Sequence, residues 1–178
     1  RRTAWAQPSP RGSAEAAALL ARAQRPAIVV GNGVALDDAL REVVGVVELL
    51  GAAAYHQPLF DSIGFPLDHR LYAGMLPTNN AGIAEILADH DLVFIVGAHA
   101  FAAHGFTVRS AVPPEVEILQ LSSDARQVAR NYPVALGLVG SVKETLSAIA
   151  SELAAMGVRP SADKAGTAQA SKASAARD

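Results

Sequence analysis

The stretch Asp91–Gly97, DLVFIVG, is the clearest buried strand in the chain. It is apolar without a break from Leu92 to Val96, and a continuous run, as opposed to an alternating one, marks a strand covered on both faces. Working outward, Asn79 or Asn80 caps a helix that reaches about His90, with Ile83, Ile86 and Leu87 facing inward. After the strand, AHAFAAHGF (98–106) is a loop or short helix, and VEILQL (116–121) is a second buried strand. SSDARQVAR (122–130) opens with cap residues and reads as a short helix, and PVALGLVG (133–140) is the last strand. Ser141-Val142-Lys143-Glu144 is a capping box. It opens a helix with Val142, Leu146, Ile149 and Leu153 on one side, ended by Gly157.

The N-terminal half has the same rhythm. A helix runs from Ser13, its expected N-cap, to about Gln24, and Pro26 leads into the buried strand PAIVV. Gly31-Asn32-Gly33 is the turn that follows. The next helix is expected from about Asp37 to Leu50, with Leu36, Leu40, Val43, Val44, Val47 and Leu50 on one face. Asp37 and Asp38 then lie near the positive end of its dipole, and Gly51 ends it. Ala52–His56 is a short strand. Residues 57–79, QPLFDSIGFPLDHRLYAGMLPTN, are expected to be irregular through most of their length, because prolines and glycines recur there. Helices alternating with unbroken apolar strands define an α/β protein: a three-layer, Rossmann-like, doubly wound parallel sheet.

Composition narrows the function. The 178-residue chain carries a net charge of −2, which offers no field for nucleic acid or an anionic membrane. No stretch is apolar for long enough to span a bilayer. There is no cysteine, so disulfides, thiolate catalysis and cysteine metal sites are all excluded; the composition suits a cytoplasmic location. Residues 1–12 read as a proline-containing linker, 13–157 as the domain, and 158–178 as a linker or tail with almost no large apolar residue. Both ends read as cuts through a longer polypeptide.

In a doubly wound sheet ligands bind beyond the carboxyl ends of the strands. The segments expected there are Gly31-Asn32-Gly33, His56-Gln57, the Ala98–Phe106 loop and Ser122-Ser123-Asp124. A glycine turn between strand and helix can present N–H groups to a phosphate. However, Leu36 stands where the dinucleotide fingerprint needs its third glycine, and the second strand ends in His56 and Gln57 rather than in a ribose-binding acid. Gly31, Asn32 and Gly33 are therefore cofactor-binding candidates only if a nucleotide is bound, and an independent NAD-dependent enzyme is improbable. Of the five histidines, His99 and His104 have a poor spacing for shared metal ligation, and His69 and His90 are expected at the surface or in caps. No metal site is expected. No GxSxG elbow occurs, and Asp124 beside Ser122 and Ser123 makes that cluster an N-cap. A histidine in the edge loop, His104 above all, is the candidate acid/base group.

Several motifs also occur together in a definite order. They are PAIVVGNGV, ELLGAAAYHQP, Phe65-Pro66-Leu67-Asp68-His69, Gly74-Met75-Leu76-Pro77, DLVFIVG followed by Ala98, and Phe101-Ala102-Ala103-His104. From Ser13 to Met156 the chain resembles the central domain of thiamine-diphosphate enzymes, a family that includes acetolactate synthase, oxalyl-CoA decarboxylase and benzoylformate decarboxylase. The likeness is greatest to benzoylformate decarboxylases and related 2-keto-acid decarboxylases. The resemblance implies a six-stranded parallel sheet that joins an N-terminal and a C-terminal domain of the same polypeptide and helps build dimers or tetramers. It implies that those two domains, absent here, hold thiamine diphosphate and Mg2+; the GDG motif that binds the diphosphate does not occur in this chain. The excised domain is then inactive alone. Some family members bind FAD or ADP in this domain, which makes an acetolactate-synthase-like enzyme or a purely structural module the alternatives. The resemblance further implies that His104 relays protons in the full-length enzyme, while Ala102 and Ala103 depart from the larger residues of the pattern.

Overall fold

The computed structural model describes residues 9–99, 101 and 108–160. The elements are α1 (Pro10–Arg22), β1 (Pro26–Val30), α2 (Asn32–Leu36), α3 (Leu40–Leu50), β2 (Ala53–His56), β3 (Tyr72–Met75), α4 (Asn80–Leu87), β4 (Leu92–Val96), β5 (Glu117–Ser122), a 3-10 turn (Ala125–Gln127), β6 (Leu136–Val139) and α5 (Val142–Ala155). The six strands lie in the order β3-β2-β1-β4-β5-β6, and every pairing is parallel. The order reverses between β1 and β4, which makes this a doubly wound sheet of the expected class.

Side-chain alternation along the strands builds two apolar layers. Ile28 and Val30 of β1, Phe94 and Val96 of β4, and Leu119 and Leu121 of β5 pack with α1, α3 and α5. Their neighbours Ala27, Val29, Val93, Ile95 and Ile118 face the other way, against α4, Phe101 and the Ala111–Val116 segment. Every residue of β1, β2 and β4 is buried, which is why those strands read as unbroken apolar runs. The Asp91 carboxylate ties the amino end of the sheet together, accepting the N–H groups of Gln24 at 2.7 Å and Arg25 at 3.0 Å.

Five local expectations are corrected. First, α1 begins at Pro10, within the segment expected as linker, and its cap is Ser9, whose Oγ accepts Gly12 N–H at 3.2 Å. Proline at the first helical position favours this start; Ser13 lies inside the helix, buried against the sheet. Second, the expected Asp37–Leu50 helix is two pieces, parted where Asp38 takes a φ of 50°. Leu36 is therefore not on the inner face but 82% exposed. Asp37 serves a different helix: its Oδ2 accepts the Ser141 hydroxyl at 2.8 Å and Lys143 N–H at 3.1 Å, at the start of α5. Third, β3 lies within residues 57–79, where no strand was expected; its Gly74 has a φ of 117° and it pairs with β2 through an irregular register. Fourth, the segment after β5 forms only a three-residue 3-10 turn, capped by Asp124. Fifth, α4 stops at Leu87 and His90 turns inward, 7% exposed. Among the described residues no helix is long and apolar enough to cross a membrane.

Candidate functional site

The carboxyl edge of the sheet is organised by glycine. Gly31 N–H donates to Val96 O at 3.0 Å, and Gly33 N–H donates to Gly97 O at 2.8 Å. A Cβ on Gly31 would lie 2.5 Å from Ala98 Cα, and one on Gly33 would lie 2.8 Å from Gly97 Cα. Gly97 itself has a φ of 56°. These three glycines let the turn after β1 pack backbone to backbone on the turn after β4. The same contacts use the N–H groups of Gly31 and Gly33 inside the protein, so those two donors are not presented to a phosphate. Asn32 also has internal partners: its Oδ1 accepts Asp61 N–H at 3.0 Å and Ser62 N–H at 3.2 Å, and its Nδ2 donates to Asp61 Oδ2 at 3.0 Å. The three candidate residues form a structural joint, and nothing in their geometry makes a nucleotide cradle.

Gln57 closes the crevice above this joint. Its backbone N–H continues the ladder to Val30 O at 2.9 Å, and its side-chain Oε1 accepts His99 N–H at 3.1 Å. That oxygen would lie 2.6 Å from a Cβ on Gly31. A side chain from the end of β2 therefore crosses β1 and grips the chain as it leaves β4. It does so at the switch point where an open α/β sheet places a ligand.

The described histidines differ sharply in their surroundings. His56 is fully buried and stacks on Phe60 at 4.2 Å between ring centres. Its Nε2 accepts Gly64 N–H at 3.1 Å, which leaves the proton on Nδ1 for Tyr72 OH at 3.1 Å. Burial holds its pKa below the ordinary histidine value. Burial likewise lowers His90, which the carbonyl of Arg25 only partly offsets; its Nδ1 faces Arg25 O at 3.1 Å and its Nε2 faces Tyr55 OH at 3.2 Å. The expectation that His90 is a surface or cap residue is overturned by this burial. His69 is half-buried, with Nδ1 accepting Leu71 N–H at 3.2 Å and Nε2 facing Glu48 Oε1 at 3.3 Å. These three are structural. His99 is exposed at the carboxyl edge, with Nδ1 on Gln127 Oε1 at 3.0 Å. Sequence reading considered His99 only as a metal-ligand partner for His104 and missed its hydrogen bonds, which come from residues far apart in the chain. His104 lies outside the described residues.

Ser122 and Asp124 form the expected cap: Ser122 Oγ accepts Asp124 N–H at 3.1 Å, and Asp124 Oδ1 accepts Arg126 N–H at 3.0 Å. The Arg126 guanidinium lies 2.9 Å from Asp124 and holds that carboxyl below its ordinary pKa. Among the described residues, no three His, Asp or Glu side chains are grouped to hold a metal ion.

Comparison with known proteins gives one consistent result. Residues 13–149 match the family model described as thiamine pyrophosphate enzyme, central domain. Over 157 residues the chain is 34% identical to the benzoylformate decarboxylase of Pseudomonas aeruginosa, covering 88% of this chain and 29% of that protein. It is 30% identical to the sulfoacetaldehyde acetyltransferase of Castellaniella defragrans, covering 84% of this chain and 25% of that protein. The thiamine diphosphate-dependent 4-hydroxybenzoylformate decarboxylase of Rhodococcus jostii superimposes with a TM-score of 0.79 at 27% identity, over 91% of this chain and 30% of that one. The chain thus spans under a third of the length of these relatives. The described residues do not fit a diphosphate and its magnesium ion: the glycine donors are committed, no acidic cluster exists among them, and the sequence has no GDG.

Proposed function

This chain belongs to the family of thiamine pyrophosphate enzyme central domains, and we propose from that premise that it is the middle domain of an enzyme that decarboxylates 2-keto acids of the benzoylformate type. The observation that carries this reading is the 34% identity to benzoylformate decarboxylase over 88% of the chain. In this reading residues 13–157, with the first turn of α1, form the domain. Thiamine diphosphate and Mg2+ are held by N-terminal and C-terminal domains of the same polypeptide, and the enzyme assembles as a dimer or tetramer in the cytoplasm. The domain alone is inactive. When bound, thiamine diphosphate supplies the carbon nucleophile that attacks a keto group.

The chain's own contribution comes from the segment between β4 and β5. Ala98 and Phe101 are buried at its start, so the segment leaves the sheet from a fixed point at the carboxyl edge. His104 follows three residues after Phe101, and in this proposal its imidazole reaches the substrate and moves a proton.

The test is turnover of benzoylformate by the full-length holoenzyme. The expected result is release of CO2 and benzaldehyde, with His104→Ala lowering kcat by about 100-fold, as is usual for loss of a general acid/base. Full-length enzyme that leaves benzoylformate and aliphatic 2-keto acids untouched would refute the substrate class. Near-normal turnover by His104→Ala would remove His104 from the mechanism and leave the substrate class standing.

A further inference from the structure

Protonation sorts the histidines. An imidazole that cycles between neutral and charged forms must gain a proton without losing a hydrogen bond. His56 and His69 each use one ring nitrogen to accept a backbone N–H, from Gly64 and from Leu71. A second proton on either ring would break that bond. His90 is buried, with both nitrogens committed. His99 alone among the described histidines is free of this conflict. Gln127 Oε1 is an acceptor, so Nδ1 keeps its proton in both charge states, and Nε2 has no hydrogen-bond partner among the described residues.

The clasp on His99 is built from buried parts. Gln120, 1% exposed in the middle of β5, donates from Nε2 to Gln127 O at 2.9 Å and accepts Ala129 N–H on Oε1 at 2.9 Å. A polar side chain inside a sheet is costly unless both of its ends are satisfied; here both ends fix the turn that carries Gln127. From the other side, Gln57 holds the backbone of His99 itself. Two strands that neighbour β4 or lie one strand beyond it therefore anchor one exposed ring.

We propose that His99 is a second acid/base residue of this edge, with Gln57 and Gln127 as its positioning residues, and that its Nε2 donates the proton taken up by the substrate carbon after CO2 leaves. This rests on the 2-keto-acid reading above. The net step is R–CO–COO⁻ + H⁺ → R–CHO + CO2. The bond from the keto carbon to the carboxylate breaks, its electron pair stays on that carbon, and the proton from His99 Nε2 forms the new C–H bond. The exposed ring regains its proton from water. The charged groups facing it are Asp124 and Arg126, ion-paired with each other at 2.9 Å. Gly31 and Gln57, which pack on the Ala98–His99 turn from β1 and β2, are uncharged.

The experiment is the pH dependence of kcat for benzoylformate in the full-length holoenzyme. An imidazolium acid predicts a kcat that falls on the alkaline side, and His99→Ala lowers kcat tenfold or more and abolishes that limb. Gln127→Glu puts a carboxylate on Nδ1–H, so the limb moves to higher pH; Gln127→Leu lowers kcat while KM changes little. A ring with only a structural role leaves the limb in place in Gln127→Glu, and that outcome overturns the proposal, as does normal kcat in His99→Ala. A wild-type enzyme inactive on 2-keto acids overturns both this proposal and the reading beneath it. An active wild type with an indifferent His99 overturns this proposal alone. His99 is exposed, so its replacement leaves the fold intact, which unchanged far-ultraviolet circular dichroism verifies.

Discussion

Asp37 Oδ2 accepts the Ser141 hydroxyl at 2.8 Å across 104 positions of sequence, joining the end of α2 to the start of α5. The same oxygen accepts Lys143 N–H at 3.1 Å, while Ser141 Oγ accepts Glu144 N–H at 3.2 Å. A carboxylate at this end of a 14-residue helix satisfies open N–H groups and meets the positive end of the dipole. Asp37→Ala is expected to lower stability by about 1–2 kcal/mol. Asp37→Asn, which keeps an acceptor oxygen, should lose less. Urea unfolding of the chain measures both; an unchanged midpoint for Asp37→Ala would show that the contact contributes nothing.

The glycine joint predicts a pair of opposite effects from one kind of substitution. Gly97 has a φ of 56°, and a Cβ there would lie 2.9 Å from Gly33 Cα and C. Backbone atoms give way poorly, so Gly97→Ala should destabilise by more than about 2 kcal/mol. Gly45, inside α3, has nothing within 4 Å of its would-be Cβ. Gly45→Ala should therefore stabilise by about 0.5–1 kcal/mol through helix propensity. Thermal midpoints moving in opposite directions are the expected result; equal losses would mean that the close approach at Gly97 is unimportant.

What the sequence made legible follows from which forces act locally. β1, β4 and β5 were readable because burial on both faces leaves only apolar residues in them, and α4 and α5 because Asn79 and Ser141 cap them as their types suggest. β3 was not readable. It is a four-residue edge strand with three partly exposed residues and an exposed Met75, so neither an apolar run nor alternation marks it. The break between α2 and α3 was hidden because apolar periodicity continues through Asp37 and Asp38, and the partner that claims Asp37 is Ser141. The clasp on His99 was hidden for the same reason: Gln57, Gln120 and Gln127 come from three separate segments. The glycine turn was visible as glycine, but that its N–H groups point at Val96 and Gly97 depends on β4 lying beside β1.

Nucleotide binding is a sharp test of that last point. The Gly31 and Gly33 N–H groups donate at 3.0 and 2.8 Å to backbone carbonyls, and Gln57 occupies the switch-point crevice. Calorimetric titration of the full-length enzyme with FAD, ADP and NAD is expected to give no binding at millimolar ligand. Micromolar affinity for FAD would show that this joint opens, and would favour an acetolactate-synthase-like enzyme over a decarboxylase.

Acid stability reports on the buried histidines. His56 and His90 have folded pKa values below 6.5, in each case chiefly because burial disfavours the imidazolium. The unfolded chain therefore binds more protons than the folded one once pH falls below 6.5. Stability contributed by keeping these rings neutral is complete above that pH and is lost progressively as pH falls from 6.5 toward the depressed folded values. Asp38 and Asp124, whose carboxyl groups are lowered from 3.8 by Lys143 and Arg126, act only at more acid pH. Urea unfolding between pH 7.5 and 5 thus isolates the histidines. The unfolding free energy is expected to decline across this range, and the decline should shrink in the His56→Gln, His90→Gln double variant even though that variant is less stable at pH 7.5. A slope equal to that of the wild type would assign the proton uptake to other groups and leave His56 and His90 without influence on acid stability.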